Sequence, residues 1–473
     1  MASRTRFTAR SCRPGAARFI GQLSGGGTAA TAGRGSEHSL NHMKTIGFGA
    51  LALAVGALAL ANPFEESKPL SPEAARLAHN ARTSARLSLV APGSRRRIDY
   101  RSLDARLKRM AARPTMVGLA VGVVENGRIT FLSGYGETLA GSGDKVTPQT
   151  VFRWASVSKG VASTMVAKLA EEGRLSLDQP VMGLAPSLRL PGGNESRATV
   201  GDVLSHRLGL YRNAFDNKLE EGQDVTSLRR SLSTLNSICA PGTCWSYQNV
   251  AYDAASEIVA KASGMPFQVA VRRSLFAPLG MNSASVSMKG LERSKNWAKP
   301  HSAGRRPMEL NDIYYRVPAA GGVNSDIKDL ALWMLAQMGE MPGVLSPQLL
   351  TAIQSPRVAT PNERSRLRKF RERLDDPMYG LGWRTYRYGG HHVVGHRGGV
   401  DGYRSLILFD PKLKSGVVAL WNSNTFQPGG LEFEVMDMLY GLEFRDWMEL
   451  DRGGASPPGP AEVAGRRPVD RRG

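Results

Sequence analysis

Phe152-Arg-Trp-Ala-Ser-Val-Ser-Lys-Gly160 is the stretch from which the rest of the chain can be read. It sets Ser156 three residues before Lys159. A proline-free run of fair helix formers follows over 161–175, broken only by Gly173. A helix opened by Ser156 puts its hydroxyl and the lysine amine on one face, a turn apart. The hydroxyl then sits at the positive end of the helix dipole with a base beside it. Taken alone, Ser-x-x-Lys reads first as an N-cap serine followed by a surface lysine, so the flanking segments decide.

Upstream, 102–113 is an amphipathic helix with Leu103, Leu107 and Met110 on one side. Two apolar runs, 117–124 and 129–132, flank Glu125-Asn126-Gly127-Arg128. Asn-Gly between such runs predicts a tight antiparallel hairpin. Downstream, helices are expected over 252–262, in fragments near 267–275, and over 328–338 behind the Ala319-Ala-Gly-Gly turn. Strands return at 382–387, 392–395, 403–409 and 416–421, and a closing helix at 431–450 carries Phe433, Met436 and Leu439. Strands at both ends with helices between predict an α+β fold, an antiparallel sheet flanked by helices.

The chain has 473 residues, 62 Lys+Arg against 41 Asp+Glu, and a formal charge of +21. This length gives ample core. Residues 1–61 hold seven basic residues and one acid, so +15 remains without them. Such a charge favours anionic surroundings, including a cell-envelope surface. No helix-turn-helix, zinc-finger or RNA-binding signature is present, so nucleic acid is not expected. Residues 1–42 are Arg-, Ser- and Gly-rich: an organelle transit peptide, or an extension ahead of a start at Met43. From Met43, a lysine, an uncharged run over 46–61 and the ending Ala59-Leu60-Ala61 describe a signal peptide at 43–61. Export to the periplasm or medium follows, with an uncleaved membrane anchor as the second possibility. A linker over 62–97, a domain over 98–450 and a disordered tail over 451–473 complete the division.

Cys239 and Cys244 bracket Ala-Pro-Gly-Thr, and an exported chain leads us to expect a small disulfide loop there. Two cysteines without a nearby histidine make no zinc site, and no metal or organic cofactor is indicated. Tyr247 and Asn249 follow; a phenol can relay a proton and an amide can orient a substrate carbonyl. His206 lies in a helical turn over 200–210 that ends at a glycine, and reads as a helix-end histidine bonding to backbone, with catalysis the lesser alternative. The segment 362–373 carries six basic residues and reads as a solvated face, or as a contact for an anionic surface. His396-Arg397-Gly398-Gly399 enters a strand, with alternation turning Arg397 away from the face of His396.

Ser156-x-x-Lys159, Tyr247-x-Asn249 and His396-x-Gly398, in this order and with these flanks, resemble the penicillin-recognising serine hydrolases: class C β-lactamases, D-alanyl-D-alanine peptidases, D-aminopeptidases and related esterases. The resemblance covers residues 98–450. It implies a β-lactamase/transpeptidase-like fold, with a mainly helical lobe beside the sheet and the site between them. It implies that Ser156 is acylated, that Lys159 or Tyr247 is the base, and that Asn249 orients the acyl side. It also implies an oxyanion hole made by the N–H groups of Ser156 and Gly399, and a substrate lying along the edge at Gly398 and Gly399. β-Lactamases of this kind carry Lys-Thr-Gly where this chain has His396-Arg397-Gly398. A histidine there is expected to titrate near 6.5, so a permanent charge for a β-lactam carboxylate is missing. An amidase, peptidase or esterase acting on a small molecule or short peptide is therefore expected over an efficient β-lactamase. The alternative is a penicillin-binding sensor or scaffold that does not turn over.

Overall fold

The computed structural model describes residues 97–451. The extension at 1–42, the signal peptide at 43–61, the linker apart from Arg97 and the tail apart from Asp451 lie outside the described residues. In chain order the described residues give α1 (Tyr100–Ala111), β1 (Gly118–Glu125), β2 (Arg128–Gly136), β3 (Phe152–Arg153) and α2 (Ser158–Glu171). There follow α3 (Val200–Leu204), α4 (Asp216–Glu220), α5 (Val225–Ser231), α6 (Ala254–Ser263), α7 (Pro318–Gly321), β4 (Asn324–Ser325), α8 (Ile327–Gln337) and α9 (Pro347–Gln354). Then come β5 (Val358–Ala359), α10 (Pro361–Arg366), β6 (Leu374–Tyr379), β7 (Arg384–Tyr388), β8 (His391–Val400), β9 (Tyr403–Asp410), β10 (Ser415–Trp421) and α11 (Leu431–Tyr440). Other short helical turns lie between these elements.

Eight strands form one antiparallel sheet in the order β2-β1-β10-β9-β8-β7-β6-β5. The hairpin forms at Asn126 and Gly127, both at positive φ (52° and 71°), as a twisted two-residue turn requires. Side chains alternate across the sheet. Leu119, Val121, Val417 and Ala419 face α1 and α11, while Ala120, Val418 and Leu420 face α8 and the helical lobe. Within that lobe α2 packs against α6, α7 and α9. It is buried nearly all round, which suits a core helix. The α+β expectation holds, and the turn ahead of α2 lies against β8 and β9.

Three local expectations need correction. The closing helix stops at Tyr440, because Gly441 takes a left-handed φ of 66° and ends it; 441–450 continues without helix. The sheet gains β5 and β6, which the mixed sequence around Pro377 conceals. The basic 362–373 segment is fastened to the protein rather than solvated throughout. Glu363 and Phe370 are buried, Phe370 packs on Phe433 and Trp447, and Lys369 pairs with Glu449 at 3.0 Å. Arg364, Arg368 and Arg371 remain exposed. Among the described residues, no helix is long and apolar enough to cross a membrane.

Candidate active site

Ser156 lies in a 3-10 turn, Ala155–Val157, and α2 begins only at Ser158. The serine therefore precedes the helix rather than capping it. Ala155 holds a left-handed φ of 50°, a costly conformation for a residue with a Cβ. Three hydrogen bonds over-determine the turn around Trp154. Its N–H donates to Val323 O at 2.8 Å, its indole N–H to Ser325 Oγ at 2.9 Å, and its carbonyl accepts from Ser405 Oγ at 2.5 Å. A bend held in this way presents Ser156 to solvent while its neighbours Ala155 and Val157 stay buried.

Lys159, in the first turn of α2, is fully buried. Its amine donates to Asn249 Oδ1 at 2.7 Å and to Ala320 O at 3.0 Å. In a neutral amine these two bonds use both N–H groups and leave the lone pair for a proton. Its own carbonyl accepts from Tyr252 Oη at 2.8 Å, which fixes the helix at this point. The Lys159 nitrogen sits 4.7 Å from the centre of the Tyr247 ring. Asn249 Nδ2 donates to Asp216 Oδ2 at 2.7 Å, so the amide is oriented by a cation-capable amine on one side and a carboxylate on the other. Burial pushes the Asp216 carboxyl up to about 6, against the lowering effect of that hydrogen bond.

Ser156, Tyr247, Asn249 and Gly399 line one cleft open to solvent, together with Asp216, Tyr314, Arg397 and Arg404. Strand β8 forms its wall. A Cβ on Gly398 would stand 2.3 Å from Trp154 O and 3.0 Å from Ser156 N, so only glycine lets the strand press against the serine turn. Gly399 follows on the cleft side. Ser156 and Gly399, expected as the two oxyanion donors, thus both line the cleft.

His396 departs from expectation. It is 4% exposed, lies 6.3 Å from the Tyr247 ring between centroids, and is not part of the cleft lining. Burial, with Arg384 and Lys159 nearby, holds its pKa well below 6.5, so it does not titrate near neutrality. The hydrogen bonds give the same answer. Gln248 N–H donates to His206 Nδ1 at 3.2 Å, leaving the proton of a neutral His206 on Nε2. That nitrogen faces Tyr379 Oη at 3.2 Å, and Tyr379 Oη faces His396 Nε2 at 3.2 Å. His396 Nδ1 meets Arg397 O at 2.7 Å. The one consistent order runs His206 to Tyr379 to His396 to backbone, with both rings neutral. Protonating His396 strips the Tyr379 O–H of its acceptor, and protonating His206 sets an Nδ1–H against the Gln248 N–H. His206 does bond backbone, as its helix-end position suggested, and its ring also supports Tyr247 at 4.4 Å between centroids.

Arg397 points away from His396, as alternation required, and its Nε donates to Glu432 Oε1 at 2.7 Å. Cys239 and Cys244 are joined, with Cα atoms 6.3 Å apart. Their loop is stitched to the His206 turn by Ile238 N–H to Gly209 O and Gly242 N–H to Arg207 O, both 2.8 Å. The disulfide thus backs the segment that leads into Tyr247. Sequence reasoning missed Asp216, Tyr379 and Arg384. The Arg384 guanidinium lies 5.7 Å from the Tyr247 ring and pairs with buried Glu363 at 3.0 Å. A lone acid in a polar loop and a tyrosine before a glycine carry no motif that would have singled them out.

Comparison with known proteins finds a family and a shared fold. The Beta-lactamase family matches residues 103–436. An unguisins hydrolase (ungD') of Aspergillus campestris is 29% identical over 343 residues, 68% of this chain and 61% of that protein. The chain thus spans about three fifths of the length of the curated relatives it matches. Among solved structures, an octameric penicillin-binding protein homologue from Pyrococcus abyssi superposes with a TM-score of 0.67 at 23% identity, covering 74% of this chain and 80% of that one. A D-stereospecific amidohydrolase from Streptomyces gives 0.55 at 22% identity, covering 69% and 95%.

Proposed function

The chain belongs to the Beta-lactamase family, and from that premise we propose that it is an exported serine hydrolase that cleaves an ester, amide or peptide through an acyl-enzyme on Ser156. One observation carries this: a pinned, strained turn puts Ser156 in the same cleft as Tyr247 and Asn249, while buried Lys159 is bonded to Asn249. Ser156 Oγ adds to the carbonyl as its proton passes to Lys159 or Tyr247. The bond to the leaving group breaks, and that proton goes to the departing nitrogen or oxygen. Water then adds by the same route, releases the acid and restores the serine. Backbone donors at Ser156 and Gly399 stabilise the oxyanion; such a donor is worth about 100- to 1,000-fold in rate. The third motif has His396, held neutral, where a β-lactamase has a lysine, and the Arg397 that lines the cleft is paired with Glu432. Esters, amides and short peptides are favoured for that reason.

Full-length protein expressed in a bacterial host, recovered from the extracytoplasmic fraction and treated with a fluorophosphonate, tests this. We expect an adduct on Ser156 by mass spectrometry, none in Ser156→Ala, and a mature N-terminus after Ala61. A panel of p-nitrophenyl esters, D-alanyl dipeptides and nitrocefin is expected to show kcat/KM at least tenfold higher for an ester or peptide than for nitrocefin. An unlabelled wild type defeats the acyl-enzyme, and nitrocefin as the best substrate defeats the substrate ranking.

A further inference from the structure

Asp216 and Glu220 stand one turn apart on α4, and both line the cleft beside Ser156 and Asn249. Like charges at this spacing repel. Asp216 is 3% exposed. Its Oδ2 accepts from Asn249, while its Oδ1 is buried with no hydrogen-bond partner. Asn213, on the same cleft wall, buries a second acceptor without a partner, its Oδ1. Glu220, at the exposed rim, accepts from Tyr314 Oη at 3.2 Å. Polar atoms that are buried are ordinarily bonded, so two such acceptors in one cleft mark a place for a donor. Asn249 is already committed to Lys159 and Asp216. The wall, which Arg212 also lines, thus offers two unmet acceptors, that of Asp216 two hydrogen bonds from the reacting lysine.

We propose that this wall receives a positively charged amine: the substrate's acyl group carries an α- or β-ammonium whose N–H groups bond Asp216 Oδ1 and Asn213 Oδ1. The inference rests on the serine-hydrolase reading and narrows it to amino-acyl esters, amides and peptides with a free amino terminus. Burial raises the Asp216 pKa, against the Asn249 hydrogen bond and the fields of Lys159 and Arg212. An arriving ammonium favours the ionised form.

The test compares D-alanine p-nitroanilide with its N-acetyl derivative, and the L pair alongside, on the full-length enzyme. We expect kcat/KM for the free amine of one enantiomer to exceed that of its acetylated form at least tenfold. In Asp216→Asn, which keeps the size and the acceptor facing Asn249, this ratio is expected to fall at least tenfold. Independently of any variant, D-alaninamide or L-alaninamide is expected to protect wild-type Ser156 from the fluorophosphonate at concentrations where the N-acetyl amides do not. A labelled wild type indifferent to acetylation in rate and in protection overturns this inference alone, as does an Asp216→Asn enzyme that keeps its preference. A wild type that takes no label removes the hydrolase reading, and this one with it.

Discussion

Tyr379 holds the third motif to the second through a single hydroxyl. It accepts from His206 and donates to His396, at 3.2 Å each way, and both rings border Tyr247. Tyr379→Phe leaves a buried donor on His206 and a buried acceptor on His396 unmet. An unsatisfied buried polar group costs about 1–3 kcal/mol, so urea unfolding should show a loss of at least that size. Because Tyr247 rests on the His206 ring, acylation should slow as well, with kcat falling more than KM rises. A variant with wild-type stability would show that the relay contributes nothing. The three motif residues Ser156, Tyr247 and Asn249 were legible because each type has a known chemistry at a known spacing. Tyr379 and Asp216 were not, because their importance comes from what folds around them. His396 was expected in the cleft as an imidazole titrating near neutrality; it lies buried behind the lining, and burial holds it neutral.

At the scale of elements, the acceptor for Lys159 depends on a charge cluster in the helical lobe. Arg229 on α5 bonds Asp253 and Glu257 at 2.7 Å each and Ser187 Oγ at 2.6 Å. Asp253 in turn accepts from Ala319 N–H at 2.9 Å, which fixes the start of α7 and hence Ala320 O against the lysine. Removing one member of a buried ion pair costs about 3–5 kcal/mol, since the other charge stays buried. Arg229→Ala should lose that much in chemical denaturation and lower Ser156 labelling beyond what the unfolded fraction explains. Equal labelling per folded molecule would separate the cluster from the site. The hairpin and the closing strands were legible from alternation and turn residues, and α2 from its composition. The cluster was not, as its members come from three segments with no pattern in common. Gly441 was visible in the sequence, yet the apolar residues after it masked it as a helix end.

For the molecule as a whole, buried titratable groups set opposing slopes of stability against pH. His206 and His396 are neutral in the fold, with pKa values well below 6.5, mainly because of burial. Unfolded, they take up protons near 6.5, so the unfolded chain binds more protons below that value. Stability from these two groups is present above pH 6.5 and is lost as pH falls, at about 1.4 kcal/mol per pH unit for each ring. Asp216 and Asp253, raised to about 6, and Asp329, raised to about 7, all chiefly by burial, act in the opposite sense. The fold holds more protons on these acids than the unfolded chain does, so their penalty shrinks as pH drops below those values. The net wild-type slope sums these with other shifted groups, among them His301 and His392, and single substitutions resolve it. His396→Gln keeps an acceptor for Tyr379 and removes one titrating ring. Its unfolding free energy between pH 6.5 and 5 should therefore rise with pH less steeply than that of wild type, by about 1.4 kcal/mol per unit. Asp216→Asn should shift the slope the other way below pH 6. If His396→Gln and wild type run parallel over that window, His396 titrates alike in both states, and the neutral relay beneath Tyr247 does not exist.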